Sequence, residues 1–154
     1  MYSFAERAER FLEKEEQSKA RLDFNGKDVV SKCENVLARI EEMLASLVSA
    51  GKAKFDRKSY EAEISYLDQS KIITLQGAEI KIGSICVVVS PSEKLGDNLV
   101  LEISRTPSTP HTHHYLKIMF EKNGMTVLEG RGSGVISFLD FERILGDTFF
   151  GPDV

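Results

Sequence analysis

The chain has 154 residues, a net charge of -4 and 42% hydrophobic residues. This length and hydrophobic content fit one folded domain, 1–154, and exclude a disordered chain. The charge is evenly spread, with 12 basic and 14 acidic residues over 1–70 and 8 and 10 over 71–154. Because nucleic-acid binding needs clustered positive charge, we expect no nucleic-acid partner.

From the sequence we expect no targeting or membrane segment. The stretch "MYSFAERAERFLEKEE" carries acidic residues where a signal peptide has an apolar core, and no apolar run reaches the length of a membrane span. Cys33 and Cys86 are too few and too far apart for a disulfide scaffold or a zinc knuckle. We therefore expect a cytoplasmic protein with reduced cysteines and no membrane partner.

The N-terminal third of the sequence predicts two helices that form a hairpin. Residues 3–22 are strong helix formers, and an apolar stripe that includes Phe4 and Phe11 fails at Glu15. The second half of this helix therefore faces solvent or needs a partner. The dipeptide Asn25-Gly26 is typical of a helix end, so the sequence predicts a turn there.

The second predicted helix, 29–50, has the clearest pattern in the chain. Apolar residues recur at alternating spacings of three and four, and Gly51 stands where the helix should end. The pattern is wider than a two-position seam and predicts a surface for a second copy or a partner protein. The predicted partner-binding residues are Val30, Leu37, Ile40, Leu44 and Leu47. The alternative is that this helix packs on its own sheet as a core element.

Residues 55–70 have a mixed pattern. Tyr60, Ala62, Ile64 and Tyr66 alternate as in a strand, whereas the alanine and glutamate content favours a helix that begins near Asp56. We predict a third short helix here and keep the strand as the alternative.

From residue 71 the chain changes to β-branched runs that are separated by turn residues, which predicts five or six antiparallel strands. Gly77-Ala78 suits a tight hairpin turn, and Asn123-Gly124 is a strong hairpin signal. Residues 137–145 predict a short helix that ends at Gly146. The predicted fold class is α+β, with a helical part over 1–70 and a sheet with a C-terminal helix over 71–154.

All three histidines lie in "TPSTPHTHHY", residues 106–115. If Ser104 pairs with His113, then Leu101 and Ile103 share the apolar face of the sheet with His114, and Glu102 lies diagonal to His113 on the other face. His111, His113 and Glu102 would then form a candidate site for a divalent transition metal, in an enzyme or a metal sensor. The alternative is an extended loop that binds no cofactor.

The glycine-rich stretch 130–134 matches neither the dinucleotide fingerprint nor the P-loop. Gly130, Arg131 and Gly132 could still receive an anion, or the segment could be a simple connector. No catalytic motif is present. The sequence therefore predicts a non-catalytic, self-associating protein-interaction module, such as an adaptor, chaperone or assembly factor, that forms a homo-oligomer or binds a partner protein.

Overall fold

A computed structural model of the chain describes residues 1–122, 124–132 and 141–152. The described elements follow one another as α1 (Phe4–Ser49), β1 (Ala53–Tyr66), β2 (Gln69–Ile82), β3 (Ile85–Pro91), β4 (Lys94–Leu95), β5 (Leu99–Thr106), β6 (His113–Glu121), β7 (Gly124–Gly132) and α2 (Phe141–Phe150). The fold is α+β, as the sequence predicted.

The predicted helical hairpin is wrong, because α1 is one helix of 46 residues. Ser3 begins it by accepting a hydrogen bond from the Glu6 amide, and Gly51, with a φ of 72°, follows its end as predicted. Asn25 does not end the helix: it is buried within it, and its side chain donates to Asp97 at 3.0 Å. A Cβ on Gly26 would lie 3.3 Å from the Lys71 side chain, so the missing side chain gives β2 room to pack. The Asn-Gly pair thus marks a packing contact.

The predicted third helix is also wrong, because residues 53–66 form β1. The strand alternation of Tyr60, Ala62, Ile64 and Tyr66 prevails over helix propensity, since Ala62 and Ile64 are buried in the core. The long hairpin of β1 and β2 turns at Leu67 and Asp68, with Tyr66 opposite Gln69. The predicted turn at Gly77-Ala78 is absent because β2 runs through both residues.

The described strands form one seven-stranded sheet in the order β4-β1-β2-β3-β5-β6-β7, so the prediction of five or six strands was too low. The sheet is mixed: β4 pairs parallel to β1, and the other pairs are antiparallel. Only residues 92 and 93 separate β3 from β4, yet β4 lies beyond β1. The sheet must therefore curl for so short a connection to reach.

Gly77 lies where the sheet curls. In β1 the buried positions change parity between Arg57 and Tyr60, and in β2 they change between Leu75 and Ala78. A Cβ on Gly77 would lie 2.4 Å from the Val89 carbonyl oxygen and 2.5 Å from the Tyr60 ring. No side chain fits such a gap, so glycine is required here for a close approach in the middle of a strand.

The core lies between α1 and the inner face of the curled sheet, and α2 closes one end of it. Leu101 and Ile103 of β5 and Leu116 and Ile118 of β6 are all buried on the predicted apolar face. Arg105 is also buried and donates two hydrogen bonds to the Phe149 carbonyl oxygen, at 3.0 and 3.2 Å. This contact holds the C-terminal end of α2 against β5.

The C-terminal helix ends later than predicted. It continues through Gly146 to Phe150, and Gly151 follows with a φ of 83°. The predicted start of this helix at residues 137–140 lies outside the described residues. A hairpin joins β6 and β7 where the sequence predicted one, since they pair antiparallel with Glu121 opposite Gly124, whereas Asn123 of the predicted turn lies outside the described residues.

Candidate functional site

The predicted partner-binding face of α1 is mostly core. Leu37 and Ile40 have no exposed surface, Leu44 is 6% exposed and Leu47 is partly buried. Val30 alone of the five predicted residues is exposed, at 42%. The alternative considered from the sequence therefore describes four of these residues: they pack on the protein's own sheet.

The apolar stripe of α1 continues toward its N-terminus beyond the sheet. Gln69, the first residue of β2, donates to the Glu15 carbonyl oxygen at 3.4 Å, so the hairpin tip lies beside this part of α1. Phe4 and Phe11, which precede Glu15 on the same stripe, are 87% and 62% exposed. At about 1.5 Å per residue, the helix extends roughly 15 Å past the contact with Gln69.

Leu67 at the hairpin tip adds a third exposed apolar side chain. It borders a groove that Phe11 and Glu15 also line, and it is 75% exposed. Its φ is 55°, the left-handed region in which a leucine is strained and Gly or Asn is favoured. Local folding therefore does not explain this leucine. We call Phe4, Phe11 and Leu67 the overhang patch.

Basic side chains border the overhang patch along the helix. At 3.6 residues per turn, Arg7 and Lys14 lie beside Phe4 and Phe11, whereas Glu9 and Glu16 lie toward the opposite side of the helix. All four side chains are exposed. The patch is thus an apolar stripe with a basic edge.

The three predicted metal ligands do not come together. Ser104 pairs with Tyr115 and not with His113, a shift of two residues that leaves the buried face unchanged. His111 lies exposed on the turn before β6, whereas His113 is 7% exposed. In the described parts of the chain, no three His, Cys, Asp or Glu side chains are grouped to hold a metal ion.

Glu102 instead accepts a hydrogen bond from the Tyr115 hydroxyl at 2.5 Å. Burial and the Glu102 carboxylate raise the pKa of Tyr115 to about 12, so the phenol stays protonated at neutral pH. The Arg131 guanidinium lies over the Tyr115 ring, 4.8 Å from its centroid. These contacts place a protonated hydroxyl beside a carboxylate on the outer face of the sheet.

The predicted anion site is not a helix N-terminus. Gly130, Arg131 and Gly132 belong to β7, and residues 133 and 134 of the glycine-rich stretch lie outside the described residues. Arg131 donates to Glu129 at 2.7 and 3.0 Å, and this carboxylate raises the pKa of Arg131. The positive charge that was expected to meet an anion already has a carboxylate partner.

The cysteines are not activated nucleophiles. Cys33 is 1% exposed and donates to the Gln76 carbonyl oxygen at 3.1 Å, and burial raises its pKa to about 11. Burial also raises the pKa of Cys86, followed by the effect of Glu79. Both thiols are therefore protonated at neutral pH.

Comparison with protein-family models, curated proteins and solved structures finds no match to this chain. The class of this protein therefore follows from its fold and surface: it is an α+β protein with a long helix that extends past its sheet. No helix in the described ranges combines the length and apolarity that crossing a bilayer requires.

Of the overhang patch, the sequence indicated the helical part, since the stripe of Phe4 and Phe11 was visible and fails at Glu15. Leu67 was missed because its segment was assigned to a helix. The signal available for the turn was Asp68 between two alternating runs.

Proposed function

We propose that the protein is a non-catalytic protein-interaction module that binds an amphipathic helix of a partner protein on the overhang patch. One observation carries the proposal: the stripe that forms the core from Leu22 to Leu44 continues to Phe11 and Phe4, whose side chains are 62% and 87% exposed. Contiguous exposed apolar surface on a folded protein marks interaction sites. A helix laid in an apolar groove is an established recognition mode.

The size of the patch sets what the partner must supply. Burying one large apolar side chain is worth about 1.5–3 kcal/mol, so Phe4, Phe11 and Leu67 together offer roughly 5–9 kcal/mol. Association costs on the order of 4–15 kcal/mol in lost freedom and ordering. The patch therefore binds well only a partner that contributes an apolar stripe of its own.

The charges of this part of α1 favour a protein over a membrane. A partner helix fits if it presents acidic residues to Arg7 and Lys14. Residues 3–16 contain five acidic and three basic residues, whereas helices that lie on anionic membranes are rich in lysine and arginine.

The metal and anion hypotheses receive less support. His111, His113 and Glu102 do not converge, and Arg131 is paired with Glu129. The homo-oligomer that the sequence predicted would not involve the overhang patch, because, of its predicted contact residues, only Val30 is exposed. A cytoplasmic setting, in which the cysteines stay reduced, remains the proposal that the sequence supports.

The test is affinity capture from cells that make the protein, with a variant that removes the patch. Phe4→Ser with Phe11→Ser should keep the melting temperature of the wild type, because both side chains are exposed. It should lose a partner that the wild type retains. The matched control, Ile72→Ser with Leu128→Ser, removes two other exposed apolar residues and should keep that partner.

Two outcomes contradict the proposal: a partner retained equally by all three proteins, or no partner retained by the wild type. Vesicles of anionic lipid serve as the other arm. If the wild type binds these vesicles, the Phe4 and Phe11 substitutions abolish that binding and no protein partner is found, then the patch binds a membrane surface instead.

A further inference from the structure

A second exposed row of α1 lies outside the overhang patch. Leu12, Val30 and Val48 are 60%, 42% and 42% exposed. They are spaced eighteen residues apart, which is five full turns at 3.6 residues per turn. The three side chains therefore project from one side of the helix, at its two ends and its middle. We call this side, with the charged residues along it, the α1 flank.

Open grooves border the α1 flank. Gly26 and Val30 face Lys71 and Ile73 of β2 across one groove. Ala45 and Val48 face Phe55 of β1 across another. The described chain thus leaves this side of the helix uncovered along both grooves, between α1 and the first hairpin.

The charges along the α1 flank are complementary to themselves in reverse order. Lys19 and Lys27 precede Val30, and Glu34 and Glu41 follow it, at nearly equal distances on either side. If two copies of α1 run antiparallel with a two-fold axis at Val30, Lys27 meets Glu34 of the second copy, and Lys19 meets Glu41 of the second copy. Each contact occurs twice, as a two-fold interface requires.

The apolar and small residues match in the same arrangement. Leu12 meets Val48 of the second copy, and Val30 meets its own equivalent. The remaining acids meet small side chains, with Glu16 opposite Ala45 and Asp23 opposite Ala38 of the second copy. A parallel arrangement would place Lys27 against Lys27 and Glu34 against Glu34, which is unfavourable. The pattern therefore selects the antiparallel pair.

We propose that a second copy of this chain occupies the α1 flank, with the two long helices antiparallel about Val30. The carboxylates are already oriented: Arg57 donates to Glu34 at 2.6 Å and to Glu41 at 2.5 Å, which holds both side chains at the surface along the flank. Lysines of the second copy then extend these ion pairs across the interface. This dimer does not depend on a partner at the overhang patch.

The experiment is sedimentation velocity of the full chain over micromolar concentrations, with charge reversals. The wild type should be a concentration-dependent dimer. Lys27→Glu and Glu34→Lys, studied separately, each create two like-charged contacts, and each should weaken the dimer by about tenfold. An equimolar mixture of the two variants should restore wild-type affinity, because the mixed dimer pairs glutamate with lysine at both contacts.

Circular dichroism checks that each variant is folded. If Glu34→Lys disturbs the fold by losing Arg57, Lys19→Glu and Lys27→Glu still test the charge contacts, because both variants leave Glu34 and Glu41 with Arg57, and each should weaken the dimer. Ile72 is an exposed apolar residue off the flank, so Ile72→Asp is the control and should dimerise like the wild type. Val30→Asp should not dimerise.

A strictly monomeric wild type overturns the dimer, and so does a mixture that associates no better than its components. The Phe4→Ser and Phe11→Ser variant should dimerise normally. A loss of dimer in that variant would move self-association to the overhang patch, and would overturn the flank as the interface.

Discussion

Replacing Leu67 should stabilise the free protein and weaken its binding to a partner. Leucine in the left-handed region costs about 1–2 kcal/mol, and asparagine tolerates this conformation far better. Because Leu67 is 75% exposed, its contacts amount to about a quarter of the 1.5–3 kcal/mol of a fully buried leucine, or roughly 0.5 kcal/mol. Leu67→Asn should therefore raise the free energy of unfolding by about 0.5–1 kcal/mol.

Urea denaturation followed by circular dichroism measures this change, and the melting temperature should rise by about 2 °C. Leu128→Asn is the control, since Leu128 is exposed in a strand and gains nothing from the change. Partner capture by Leu67→Asn should fall even though the protein is more stable. Lower stability in Leu67→Asn, or unchanged capture, would refute the argument that this leucine is kept for binding.

Three further predictions concern the fold. Gly77→Ala should destabilise the protein by about 1–3 kcal/mol in urea denaturation, because its Cβ would collide with Val89 and Tyr60, whereas Gly96→Ala enters open space and should change stability by less than about 0.5 kcal/mol. Equal stability of the two variants would disprove the close approach. Arg105→Met should lower the free energy of unfolding by roughly 2–3 kcal/mol, because it removes the donors to the Phe149 and Pro107 carbonyl oxygens. Arg39 is exposed, so Arg39→Met is the control. An equal loss of stability in both variants would contradict the role of Arg105 in holding α2. Cys33 should make stability fall at high pH: the folded state favours the protonated thiol, so its contribution is complete below the ordinary pKa of 9.0 and is lost as the pH rises to about 11. The loss should reach about 2–3 kcal/mol. Cys33→Ala should remove this part of the pH dependence, and an identical pH profile in the variant would contradict the role of Cys33.

The sequence predicted the elements whose pattern and environment agree. The helix over 29–50 and its end before Gly51 follow from an unbroken apolar stripe and a glycine suited to the left-handed region. The shared apolar face of β5 and β6 also followed from alternation. The register was shifted by two residues, because a two-residue shift keeps every side chain on its face and alternation alone cannot detect it.

The predictions from sequence were wrong where long-range contacts, which neighbouring residues do not reveal, decide the local structure. Asn25-Gly26 and Gly77-Ala78 have the composition of turns, yet Gly26 admits the Lys71 side chain, and Gly77 admits Val89 and Tyr60. Helix propensity likewise failed over 55–70, because burial of Ala62 and Ile64 against α1 and the sheet decides that segment.

The candidate site also has a part that the sequence indicated and a part that only the fold reveals. The apolar stripe of Phe4 and Phe11 was legible in sequence, but only the fold shows that the sheet stops short of it and that Leu67 joins it. Val30 was predicted as a partner contact together with Leu37, Ile40 and Leu44. The structure separates these residues, because Val30 lies at an open groove beside β2 and is 42% exposed, whereas the other three are buried under the sheet.

Site-specific photo-cross-linking tests the central claim most directly. A benzophenone amino acid at position 11 lies on the overhang patch, and the same group at position 13 lies on the opposite side of the same helix turn. In cells that make the protein, position 11 should cross-link one partner through an amphipathic helix, and position 13 should not. Equal cross-linking at both positions, or none at position 11, would contradict the account.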